Sequence, residues 1–187
     1  MKKSSAESLK VKRGHSRLRR FIRGRRGASF VEFAIVAVPL FTLIFGIIEV
    51  GLVFWASYEL ENATETAARY IRTGQAQGNG WSVAQLTSQI CANVVILANC
   101  TSSVQLDVET FSTFGGITAP TPFNNKGALR NDFDYVPGGP GSIVLVTAFY
   151  EWPLINPLMT ATLGNMADGN FLLRSSAAFR NEPFPAT

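Results

Sequence analysis

The chain has 187 residues, of which 47% are apolar and 16% charged, with a formal net charge of +4. One histidine, His15, and two cysteines, Cys91 and Cys100, exclude a Ser-His-Asp or Cys-His arrangement from everything beyond the N-terminal arm, and there is neither a CxxC pair nor zinc-ligand spacing. The net charge hides a division, because eleven of the 17 Lys and Arg precede Gly27 and leave six basic against twelve acidic residues after it.

Residues 1–27, MKKSSAESLKVKRGHSRLRRFIRGRRG, are polar, charged and poor in periodic apolar positions. They are expected to be disordered or to lie on an anionic inner leaflet. A basic arm of this kind fits a nucleic-acid-binding tail, a cytoplasmic anchor obeying the positive-inside bias, or a leader that is cut off. Direct adjacency to an apolar helix argues against nucleic acid. The other two readings agree in placing the N-terminus in the cytoplasm and residues beyond about 58 outside it. An ordinary secretory signal would have a shorter apolar core followed by a small-x-small site. Here the small residues Gly27, Ala28 and Ser29 come first, and the apolar run from Phe33 to Ala56 exceeds the roughly 20 residues that span a bilayer.

A cut between Gly27 and Ala28 would make Glu32 the fifth residue of the mature chain. A carboxylate near the end of an apolar membrane helix costs a few kcal/mol, of order 2–3, unless it is paired. The α-amino group freed on a neighbouring subunit is a natural partner, and such a pair would set one subunit in register with the next. The other reading of Glu32 is a residue snorkelling to the headgroups of an uncut anchor. Further along, Pro39 removes a backbone hydrogen bond and predicts a kink. Gly46 and Gly51 offer close approach without forming a GxxxG pair. Glu49 sits near the outer end of the span, either reaching the interface or contacting a partner.

The segment RRGASFVEFAIVAVPLF resembles a class III signal: basic leader, glycine, then a hydrophobic helix with glutamate at the fifth mature position. GASFVEFAIVAVPLFTLIFGIIEVG resembles the TadE-like pseudopilins of tight-adherence (Flp/Tad) pilus systems. The resemblance implies Gly27–Ala28 as the bond cut by a membrane aspartic prepilin peptidase, and Glu32 as the assembly carboxylate. Many type IV pilins begin with a methylated phenylalanine. Ala28 departs from that pattern, so N-methylation is not implied. ENATETAARYIRTG, YEWPLINP and LLRSSAAFRNEPF resemble the same family.

Beyond residues 28–58, the helix should continue through 59–74, with Ala56, Leu60, Ala63, Ala67 and Ile71 forming one stripe. Glu65 and Arg69 are in the favourable order for an ion pair, and Gly74 is the stop. After the polar linker QAQGNG, residues 81–97 read as a second helix with a Ser82/Gln85 capping box and an apolar face of Val83, Leu86, Ile90, Val94 and Leu97. Outside the cytoplasm Cys91 and Cys100 are expected to form a disulfide that staples this helix to the next strand. Three strands follow. Val104, Leu106 and Val108 alternate with Gln105, Asp107 and Glu109 as a half-exposed strand. Residues 143–151 read as the central strand and 171–180 as the third. Between the first two lies a Gly-, Pro- and Asn-rich surface loop, 112–142. Its Asn131, Asp132 and Asp134 lack an EF-hand pattern and read as ordinary turn residues.

The expected fold is therefore α+β and pilin-like: a long N-terminal membrane/spine helix, plus a second helix on an antiparallel sheet of about three strands, with 75–187 as the outer domain. No catalytic residue, cofactor or metal is expected. The implied partners are the prepilin peptidase, other minor pilins, pilus assembly proteins and the bacterial inner membrane, with the C-terminal domain periplasmic or extracellular. The alternative is an uncleaved single-pass scaffold of a pilus or secretion complex.

Overall fold

A computed structural model describes residues 25–185; the basic arm 1–24, including His15, lies outside the described residues. Helix α1, Arg25–Arg72, is 48 residues long and uninterrupted at Pro39. It begins ahead of the expected 28–58 segment, so Gly27 and Ala28 are both helical. The chain divides into two units, one ending at Ile44 and one from Phe45 onward. Within the first, the helix from Ser29 is almost entirely exposed and apolar, and Thr42 Oγ1 donates to the Val38 carbonyl at 2.8 Å.

In the second unit the periodic stripe of α1 becomes the core. Ala56, Leu60, Ala63, Ala67 and Ile71 are all buried, as their spacing requires. Arg69 and Arg72 in the last turn suit the negative end of the helix dipole. Arg72 pairs with Glu182 at 3.4 Å, whereas the Glu65–Arg69 ion pair expected from the spacing is not formed. The helix ends where Gly74 takes φ +77°, and the Phe184 ring packs so close that a Cβ there would lie 2.4 Å from it. The expected polar linker is partly a helical turn, α2 (Gln75–Gly78), with Ala76 buried.

Helix α3 spans Val83–Cys91 and ends six residues earlier than the periodicity predicts. The capping box is present: Ser82 N–H donates to Gln85 Oε1 at 2.8 Å, and Gln85 N–H to Ser82 Oγ at 3.4 Å. The early stop has two causes. Val94, Val95 and Ile96 are β-branched and weak helix formers. The Cys91–Cys100 disulfide also holds its two Cα atoms 5.7 Å apart, which a helix running on to Leu97 would not allow without a reversal. Leu97 still reaches the core, but Val83 and Val95 are exposed, contrary to the helical-face reading of Val83. Cys100 opens a single turn, α4 (Cys100–Ser103), that leads into the sheet. The bridge thus joins the end of α3 to the approach to β1, as expected. Replacing both cysteines with serine is expected to lower unfolding stability by about 2–3 kcal/mol, the loop-closure value for so short a loop. Denaturant unfolding of the oxidised parent against the double variant measures it, and equal midpoints would show that the bridge adds nothing.

The sheet is the predicted meander. Strand β1 (Gln105–Phe111), central β2 (Ile143–Trp152) and β3 (Phe171–Arg180) pair antiparallel in the order β1-β2-β3. Val108 faces Val146, and Val146 faces Ala177, so one face carries Leu106, Val108, Val144, Val146, Ala148 and Tyr150 into the core shared with α1 and α3. On the opposite face β1 was expected to be exposed. That face is covered instead: Phe149, Met166 and Leu172 pack there with Phe123, Leu129 and Phe133. Phe133 stacks on Phe149 with centroids 5.0 Å apart, Arg130 lies over Phe133 and Arg174 over Phe149, so each ring of the pair has its own guanidinium group. Loop 112–142 is therefore a third layer rather than a solvated excursion. It also adds a short parallel rung to β1, through Val108 N–H to the Asp134 carbonyl at 2.9 Å and Val136 N–H to the Val108 carbonyl at 2.7 Å.

Candidate functional site

Two carboxylates lie on the apolar part of α1, and their surroundings differ. Glu32 is exposed and makes no hydrogen bond or ion pair among the described residues. Glu49 is 7% exposed, although it sits between the exposed residues Ile48 and Leu52. Its Oε1 accepts the Ile155 N–H at 2.5 Å, and its Oε2 accepts the Asn156 N–H at 3.2 Å. Those N–H groups open a short helix, α5 (Pro157–Leu163), whose N-cap Asn156 also accepts from Leu158 N–H at 3.0 Å. A carboxylate at the positive end of a helix is favourably placed. Gly46, one turn earlier on α1, lies beside Met159, whose Cε would be in ordinary contact with a Cβ there at 3.5 Å. Glu49 is thus satisfied within its own chain.

This contact spans 106 residues of sequence, and periodicity cannot report it. One local signal was present. Asn156 followed by Pro157 is a helix start, with a capping side chain and then a residue needing no N–H donor.

Of the remaining predicted positions, Cys91 and Cys100 are brought together in the disulfide. Gly27 and Ala28 lie in the first turns of α1, and Pro39 lies in its interior. Both cysteines belong to the second unit.

A second carboxylate group was missed at the sequence level. Asp107, read as an outward residue of β1, is 2% exposed because loop 112–142 folds over it. Its Oδ1 accepts the Asp134 N–H at 3.0 Å, while Oδ2 is buried without a partner. Asp107, Glu109 and Asp134 place one oxygen each within 4.8 Å of one another, an all-oxygen set of the type that hard divalent cations take. Burial raises the Asp107 carboxyl above the usual carboxylate range, with the Asp134 charge adding to it against the Asp134 N–H and Arg130 and Arg174. Burial raises Glu109 as well, helped by Asp107 and Asp134. A carboxyl raised in the folded state contributes stability at low pH and loses it as pH rises through the folded value. Asp107→Asn, which keeps an acceptor for Asp134 N–H, is therefore expected to melt higher than the parent near pH 7, with the gap closing towards about pH 4. Thermal unfolding at the two pH values checks this. A parent that melts higher at neutral pH would show that the Asp107 charge is needed.

Among the described residues there is one helix long and apolar enough to cross a membrane, within Ser29–Arg72. Its length and composition indicate a membrane-anchored protein. The family model described as TadE-like protein matches residues 27–69. No curated protein and no solved structure matches the chain.

Proposed function

Taking residues 27–69 as a TadE-like segment, we propose that the protein is a minor pilin, or pseudopilin, of a Tad pilus, structural rather than catalytic. A prepilin peptidase cuts between Gly27 and Ala28. Residues 28–58 hold the mature chain in the inner membrane, and the domain beyond faces the periplasm or the exterior. The freed Ala28 amino group of one subunit and Glu32 of the next then pair as subunits are laid together.

The observation that supports this reading best is the contrast between the two helix carboxylates. Glu49 spends both oxygens on backbone N–H groups of its own chain. Glu32, five residues into the family match, has no partner among the described residues. A carboxylate on an apolar helix without a partner is costly, so a partner from outside the chain stabilises it. The start of the match at Gly27 also supports a junction there.

N-terminal sequencing of the protein recovered from pilus-producing cells tests the reading. Ala28 as the first residue is the expected result. An intact Met1 end in such cells would leave the uncleaved membrane scaffold as the function.

A further inference from the structure

We propose that residues 153–163, the turn leading into α5 and α5 itself, form a second membrane contact that beds into the outer leaflet beside α1. The inference rests on α1 being a membrane helix, and not on the pilus assignment. Four observations carry it.

The segment PLINPLMTATL contains no charged residue. It nevertheless turns large apolar groups outward: Ile155 is 88% and Leu158 is 52% exposed. It is held against α1 at Gly46 and Glu49, both inside the apolar run. Phe54, 72% exposed, with the exposed Trp55 and Tyr58, follows Glu49 by one to three turns. Exposed Trp and Tyr at the end of an apolar helix mark the headgroup level, which here is set by Trp55 and Tyr58. Gly46 and Glu49 therefore lie on the hydrocarbon side of that belt, and whatever is docked at their height meets lipid.

The chemistry of the joint agrees with that location. Non-helical backbone at membrane depth is costly unless its N–H groups are paired, and a carboxylate at that depth is costly unless it is bonded. Here each removes the other's cost, because Glu49 accepts from Ile155 and Asn156 while Asn156 Oδ1 takes Leu158 N–H. In water neither group would need the other. The outward Ile155 and Leu158 then resemble the apolar face of an interfacial helix rather than an exposed defect. The outer domain is seated on the bilayer at two places instead of swinging from one.

The test uses the full-length chain in phosphatidylcholine vesicles, with and without lipids brominated in the acyl chain. The native cysteines are bonded to each other, so a new thiol can be labelled selectively with an environment-sensitive fluorophore. Labels at Ile155→Cys and Leu158→Cys are expected to be quenched within about twofold of a label at Phe54→Cys, while one at the exposed Ser112→Cys is not quenched. Adding Glu49→Leu should cut the Ile155 signal about threefold and leave Phe54 unchanged, since only the latch is lost. Quenching at Phe54 without quenching at Ile155 and Leu158 overturns the inference and leaves the anchor standing. Ile155 quenching that vanishes as protein-to-lipid ratio rises also overturns it, by assigning the face to a second copy. Absence of quenching at Phe54 overturns the membrane reading of α1 together with the inference.

Discussion

Glu32→Ala is expected to lower incorporation into pilus assemblies at least about tenfold, the equivalent of one ion pair worth about 1.4 kcal/mol, while leaving membrane insertion intact. Insertion survives because the substitution removes a charge from an apolar helix, which makes the helix cheaper to bury. The fold survives because Glu32 has no partner among the described residues. Glu32→Gln should behave like Glu32→Ala, since it keeps the shape and loses the charge. The measurement is the amount of the chain recovered with other pilus components from membranes, beside the number of pili per cell. Normal piliation with Glu32→Ala would dismiss the pairing.

Gly27→Leu is expected to reduce processing at least about tenfold and to leave the full-length species in the membrane. Two effects act together. Gly27 is helical in the uncut chain, and a peptidase needs extended backbone across the bond it cuts. Glycine weakens a helix by about 1 kcal/mol relative to good helix formers, so it makes local uncoiling cheaper. Leucine reverses that and adds bulk beside the scissile carbonyl. Gly27→Ala should fall between, with partial cutting. Migration on gels against a leaderless standard reads the outcome, and normal processing of Gly27→Leu would place the cut elsewhere. The two substitutions should also be non-additive. With no free Ala28 amino group, Glu32→Ala has nothing left to remove.

Most of the fold was readable because its signals are local. Ala56 to Ile71 repeat at helical spacing, Ser82 and Gln85 form a capping box, and β1 and β3 alternate at period two. Each depends on neighbours within a few residues, and the stripe, the capping box and both strands are present, although burial along β1 does not alternate. What was missed depends on distant chain. Asp107 alternates like a solvent-facing residue, and only the return of loop 112–142 buries it. The Gly- and Pro-rich composition of that loop hides a packed layer, because Phe123, Leu129 and Phe133 are spread over eleven positions with no period to betray them. Helix α3 stops early because a disulfide and β-branched residues outweigh an apolar pattern that continues past Cys91. Glu49 was read as reaching the interface or contacting a partner, and its hydrogen bonds to residues 106 and 107 positions away add a role that spacing could not show.

The exit of α1 has a mechanical consequence. After β3 the chain returns to that exit: Glu182 N–H donates to the Arg72 carbonyl at 2.9 Å, its side chain meets Arg72, and Phe184 closes over Gly74. A pull along the helix therefore does not have to travel through α2, α3 and the disulfide loop before reaching the sheet. It enters β3 directly, and from there β2, which is hydrogen-bonded on both sides. The anchor's end is thus tied to the sheet's last strand as well as to the chain that follows it, and the two cannot part without breaking these contacts.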